Sequence, residues 1–130
     1  AALKELGRKR DDSLVLERPS GFSAGSEAVV NLVEGAPQVD AIFFAGDVLA
    51  VGAALECQRR GWAVPGRVAL ASFDDLDMLR HINPPLTTIR LPRYEIGKRS
   101  AECLLDRISG RVTDRVTLDL KFEIIQRESA

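Results

Sequence analysis

The chain has 130 residues, 45% hydrophobic and 28% charged, which suits about one domain with an ordinary globular composition. A net charge of −1 offers no basic field for nucleic acid or an anionic membrane. No apolar run nears the ~20 residues of a membrane span, and the opening Ala1 to Gly7 has a helical pattern instead of a signal peptide's.

Residues 1–9 read as the tail of a helix ending near Gly7, and the missing initiator Met suits a fragment. Ser13 to Glu17 reads as a short strand, broken by Pro19, Ser20 and Gly21. Ser23 or Ser26 is placed to cap the next helix by accepting from a free backbone N–H. Val29, Leu32, Val33 and Ala36 recur there at helical spacing, and Gly35 to Pro37 ends it.

Asp40 to Ala45 is a nearly continuous apolar run of strand length. Such runs suit a parallel sheet with helices on both faces. Gly46-Asp47 opens a helix that runs to a stop at Gly61. Its small face is Ala50, Ala53, Ala54 and Cys57; Glu56, Gln58, Arg59 and Arg60 lie on the other side. Val68 to Phe73 is the next buried strand, and Asp75 to Arg80 suits a helical turn. Leu86 to Arg90 is extended, since Thr and Ile favour strands. Pro92 suits the first turn of a helix striped by Ile96, Ala101, Leu104, Leu105 and Ile108 and closed by Gly110. Val116 to Gln126 alternates as an edge-like strand with one wet face. The fold class is therefore α/β, doubly wound, with a mainly parallel sheet.

No glycine-rich phosphate loop occurs. The single histidine, His81, excludes a His-based metal cluster and reads as a surface or packing residue. Cys57 and Cys103 read as small buried thiols of a reducing compartment. Asp47 follows one buried strand and Asp74 and Asp75 the next, so all three point to one rim of a parallel sheet, where ligands of open sheets bind. Ionised carboxylates there can accept from sugar hydroxyls or amides, run acid/base chemistry or bind a cation. The plainer alternatives are a helix N-cap for Asp47 and turn roles for Asp74 and Asp75. Phe22, in a Gly-Phe-Ser turn on the same rim, suits stacking on a ring or local packing. Trp62 reads as packing on the opposite rim. No nucleophile with a positioned base is present, so no enzyme is expected.

Asp40 to Asp47 followed by Leu49 to Ala53 resembles the "DAIFxxNDxxAxGA" block of the LacI/GalR family of bacterial transcription regulators. Gly61 to Asp75, with its Val64-Pro65 turn, is similar to that family's "GxxVPxxxxxxGFDD", and Pro84 to Ile89 to its "PPLTTI". Gly97, Ala101, Leu104 and Leu105 resemble its "GxxxAxxLL". The blocks keep the family's order, and Gly52 to Gly61 is similar to gluconate-operon repressors.

The resemblance implies the C-terminal part of a periplasmic-binding-protein-like effector domain, without the DNA-binding head. Residues 1–87 and 117–130 would form the C-terminal lobe, with 88–116 as crossover segments plus a helix that normally packs in the first lobe. Thr88 to Arg93 and Arg111 to Thr117 would act as hinges. The helix 94–109 would have no home in this chain, so it is expected to recruit another chain or swap in a dimer. Phe22 matches an aromatic that stacks on effector and Asp74 an acidic acceptor. Asp47 belongs to the same rim, and Gly46 replaces the commoner Asn, removing one polar contact. Arg93 stands at a cleft position that is aromatic in some members; a cation there suits a sugar acid. Val51, Leu55 and Ile82 match a dimer interface. The implied partners are a sugar or sugar acid, a second copy, and operator DNA only through the missing head. The implied location is cytoplasmic, with no membrane association and no cofactor or metal. A sugar-binding protein of an ABC transporter is the alternative.

Overall fold

The computed structural model describes residues 5, 7, 9, 11–111 and 114–130. Much of the expected N-terminal helix and part of the second crossover lie outside the described residues. The elements in chain order are α1 (Phe22–Gly35), β1 (Ala41–Phe43), α2 (Asp47–Arg60), β2 (Ala69–Phe73), β3 (Thr87–Arg90), α3 (Arg93–Ile108) and β4 (Glu123–Ile125). Short 3-10 turns cover Asp12–Leu14 and Asp77–Arg80.

The strands form one sheet in the order β1-β2-β3-β4. The first three are parallel, and β4 closes the edge antiparallel to β3. This is the mainly parallel α/β arrangement expected from the alternation of strands and helices. Its core joins Val29 and Val33 of α1, Ile42 of β1, Ala50, Ala53 and Cys57 of α2, and Leu70 of β2 with Leu79 and Leu86. The small face of α2 is what allows close approach: a Cβ on Gly25 would stand 2.0 Å from the Leu49 carbonyl oxygen, and one on Gly52 2.0 Å from that of Phe22. The two helices thus meet backbone to backbone, and Ser26 Oγ donates across the crossing to Gly52 O at 2.9 Å.

Four expectations are corrected. Ser13 to Glu17 joins no ladder; its start falls in a 3-10 turn, Asp12–Leu14, capped by Asp11, whose carboxylate accepts from Ser13 N. Leu14 and Leu16 still pack on the core, so the alternation is expressed as burial without strand pairing. The cap of α1 is Gly21, with no side-chain bond, because Ser26 is spent on the helix crossing. Ile42 is buried while its neighbours Ala41 and Phe43 are exposed, so the sheet is covered on one face there and open on the other. In the C-terminal segment only Glu123–Ile125 is strand; the alternating residues before it have no strand to pair with.

No residue of α3 is buried, and Ile108 is 74% exposed. Between this helix and Val116 to Phe122 lies an open groove of about 770 Å³. A second groove of about 590 Å³ separates Leu14 to Arg18 from β1.

Candidate functional site

The rim at the carboxyl ends of β1 and β2 is built around three aspartates that do different work. Asp47 is the first residue of α2, with Gly46 as the cap, so the N-cap alternative is corrected by one position. Its side chain is buried, 2% exposed. Ser72 Oγ donates to Oδ1 at 2.6 Å, Thr88 Oγ1 to the same oxygen at 3.4 Å, and Leu76 N to Oδ2 at 2.6 Å. Ser72 and Thr88 are register partners across β2 and β3, which is why both hydroxyls reach one carboxylate. A buried charge must be paired or hydrogen-bonded, and a carboxylate in the first turn of a helix also meets the positive end of the helix dipole. Asp47 therefore shapes the rim from within and ties the loop after β2 to α2.

That loop turns at Asp74 and Asp75, whose φ angles are 124° and 58°. Left-handed backbone is uncommon outside glycine, and Asp tolerates it better than most residues. Among the described residues nothing hydrogen-bonds to the Asp74 carboxylate, which is half-buried at the rim. Its amide donates to Ile89 O at 2.9 Å. Asp75 is the opposite case. Its side chain is 3% exposed and takes Arg90 Nε at 2.7 Å and Arg127 Nη2 at 2.5 Å, with Arg80 Nη2 at 4.0 Å. Burial pushes the Asp75 carboxyl up, but the hydrogen bonds and charges of Arg127 and Arg90 outweigh it and hold the group below the usual carboxylate range.

Arg93, exposed at the start of α3, reaches back to this turn: Nη2 donates to Asp74 O at 2.7 Å and to Asp75 O at 3.4 Å. The structure thus brings Asp74 and Arg93 together. Gly46 stands half-buried beside Asp47. Phe22 begins α1 with 48% of its surface exposed, and its backbone is fixed against Gly52 of α2. An acceptor and a guanidinium can hold a polyhydroxylated molecule by hydrogen bonds and charge, and an exposed aromatic ring can stack on one; the contacts join Asp74 to Arg93 and leave Phe22 apart, on the α1–α2 crossing.

The residues expected at a dimer interface divide. Leu55 is exposed and Ile82 half-buried. Val51 is 2% exposed within the chain's own core, which leaves its side chain no surface to offer a second chain. Cys57 is buried, whereas Cys103 is only partly so, a correction to the expected pair of buried thiols. Glu56, expected on the solvated side of α2, is buried and takes Arg59 and Arg60. His81 is exposed, with Nε2 3.3 Å from Asp77 Oδ2. Among the described residues no group of His, Cys, Asp and Glu could hold a metal ion, and no helix is long and apolar enough to cross a membrane. The partners of Asp47 and Asp75 escaped sequence reading. Ser72 carried a faint signal, since it stands where the "GFDD" of the similar motif has Gly; Arg127, 52 positions from Asp75, carried none.

The periplasmic binding protein-like domain matches residues 1–130. The chain belongs to this family. Among its relatives, the HTH-type transcriptional regulator GntR of Pseudomonas aeruginosa is 44% identical over 116 residues, which are 89% of this chain and 34% of that protein. The solved transcriptional regulator CelR–cellobiose complex is 34% identical with a TM-score of 0.87, covering 99% of this chain and 39% of that one. A LacI-type transcription regulator from Bifidobacterium animalis subsp. lactis is 26% identical with a TM-score of 0.84, covering 98% and 46%. The LacI/GalR resemblance carried by the motifs, and its gluconate branch, agree with these relatives. The periplasmic binding protein-like chain spans about a third of the length of its GntR relative (34%).

Proposed function

We propose that this chain is the effector-sensing part of a LacI-type transcriptional repressor and that its rim binds a sugar or sugar acid. The observation that carries the reading is the pairing at the turn after β2. An Asp74 carboxylate with no partner among the described residues stands beside an Arg93 guanidinium already anchored to the same turn. A hydroxyl-rich ligand supplies donors for Asp74, and an acid group on it suits Arg93. Phe22 offers a face for the ring or chain of the ligand, Gly46 leaves room, and Asp47 holds the rim in shape.

Residues 1–87 and 117–130 act as one lobe and 88–116 as the crossing part, with Asp74 and Arg93 facing each other across that division. Ligand binding shifts the population between open and closed placements of the lobes, which requires different affinity for the two. Leu55 and Ile82 contribute to a homodimer, and operator DNA is contacted by another part of the regulator, in the cytoplasm. The similarity to GntR and CelR favours a regulator over the transporter alternative and over an enzyme.

Thermal-shift screening of the regulator against neutral sugars and sugar acids tests this. Gluconate or a related acid is expected to raise the melting temperature, and Asp74→Ala to abolish the rise. An equal rise in the variant would overturn the assignment of the site.

A further inference from the structure

The chain leaves the sheet at the end of β3 and returns to it at β4, and both points are fastened to one carboxylate. Arg90 is the last residue of β3, and its Nε donates to Asp75 Oδ2 at 2.7 Å. Arg127 follows β4 by two residues, and its Nη2 donates to Asp75 Oδ1 at 2.5 Å. Arg127 also donates through Nη1 to Leu86 O at 2.6 Å, one residue before β3 begins. The far side of Arg90 reaches Glu123, at the start of β4, at 3.2 Å. Arg93 holds the carbonyls of the same turn from the start of α3. Exit and return are otherwise joined mainly by a three-pair antiparallel ladder and by Thr87, whose Oγ1 accepts from Arg127 N.

We propose that Asp75 is a latch: a single carboxylate that sets the placement of the exit from β3 and the return at β4 together, so that these two strand ends loosen or tighten as one. Asp75 is a positioning residue here, acting through Arg90 and Arg127. Two features set it apart from an ordinary ion pair. Its two oxygens are divided between the two segments, one to each. It also lies next in sequence to Asp74, so a displacement of the turn is passed to both segments. This second consequence rests on the cleft reading above; the latch itself does not.

Hydrogen–deuterium exchange on the whole chain, without ligand, tests the latch. In Arg90→Gln, exchange is expected to rise several-fold at residues 87–90 and also at 123–127, while α1 and α2 keep their wild-type rates. In Asp75→Asn the same two segments loosen, and adding Arg90→Gln to it loosens them by less than Arg90→Gln does in wild type, the remainder being the direct Arg90–Glu123 pair. That non-additivity is what a general loss of stability would not produce. If each arginine variant loosened only its own segment, or if the whole chain loosened uniformly, the latch would be refuted. Should Asp75→Asn not fold, Arg90→Gln against Arg127→Gln and their double variant read the same coupling. Gluconate added to wild type is expected to slow exchange at both segments together. No effect of gluconate would count against the effector reading, while the ligand-free rates decide the latch.

Discussion

Ser72 Oγ donates a 2.6 Å hydrogen bond to the buried carboxylate of Asp47, joining the end of β2 to the first turn of α2. The bond is possible because Ser72 points to the buried face of β2, toward the helix that follows β1. With Thr88 and Leu76 on the same carboxylate, it ties β2, β3 and the loop after β2 to the first turn of α2.

Ser72→Ala removes the hydroxyl and leaves a buried acceptor short of a donor, a change that costs about 1–3 kcal/mol. Asp47→Ala is expected to cost more, because it strands Ser72, Thr88 and the Leu76 amide together. Urea denaturation of the two variants checks both the loss and their order.

The helix crossing sets a second expectation. A Cβ at Gly52 would stand 2.0 Å from the Phe22 carbonyl oxygen, and the obstruction is backbone, which cannot swing aside. Gly52→Ala must part α1 from α2, with a cost at or above the roughly 1–3 kcal/mol of ordinary overpacking. Gly35→Ala, at the end of α1 with open space around it, is the control and is expected to be tolerated. Melting temperatures by circular dichroism separate the two.

Acid should unfasten the arginine clamps. The folded-state carboxyl of Asp75 is held below its ordinary range, and that of Glu56 is held down to about 2 by hydrogen bonds from Arg59 and Arg60. A depressed folded pKa gives stability that is complete above the unfolded value, roughly pH 4. It is lost as pH falls through the folded value. Melting temperatures measured from pH 6 down to 2 are therefore expected to fall less steeply in Asp75→Asn than in wild type. The gap between the two proteins narrows toward the acid end.

The two thiols should differ in reactivity. Burial pushes the Cys57 thiol up to about 11, so at neutral pH it is both protonated and enclosed, and thiolate is the reactive form. Cys103 is only partly buried on α3. Ellman's reagent on the folded chain is expected to modify Cys103 first, and Cys57 only on unfolding.

Periodicity carried most of the fold, and its failures have a common physical cause. The helices α1, α2 and α3 were legible because their apolar spacing and stops are local: Gly61 ends α2 in the left-handed conformation, as its position suggests. Strand pairing is not local. Leu14 and Leu16 alternate with Val15 as a strand would, yet the segment lies across a groove from β1 without joining it. Val116 to Phe122 alternates too, and only the three residues opposite β3 find a partner. In the site, Asp47 and Asp74 were visible because each follows an apolar run. Which of them is buried was not visible. Asp47 is enclosed because β2 and β3 pair with Ser72 against Thr88, a register no local pattern announces. Asp75 likewise owes its burial to Arg90 and Arg127, 15 and 52 residues away.

The division of labour among the aspartates gives a test of specificity. Asp74→Asn keeps the size of the side chain but removes its charge, so a neutral sugar and a sugar acid should respond differently. Repulsion between the Asp74 carboxylate and an acid ligand is relieved in the variant, while hydrogen bonds from hydroxyls weaken. The ratio of affinities is expected to move toward the acid, by competition calorimetry. Arg93→Gln is expected to move it the other way.

The most direct measurement is isothermal titration of gluconate into the regulator carrying wild-type Asp74 and into its Asp74→Ala form. Wild type is expected to give a saturable heat, and the variant to bind at least about tenfold more weakly, since a hydrogen bond to a charged group is worth about 1.5–3 kcal/mol. Equal affinity in the two proteins, or no binding of any sugar or sugar acid to wild type, would contradict the account.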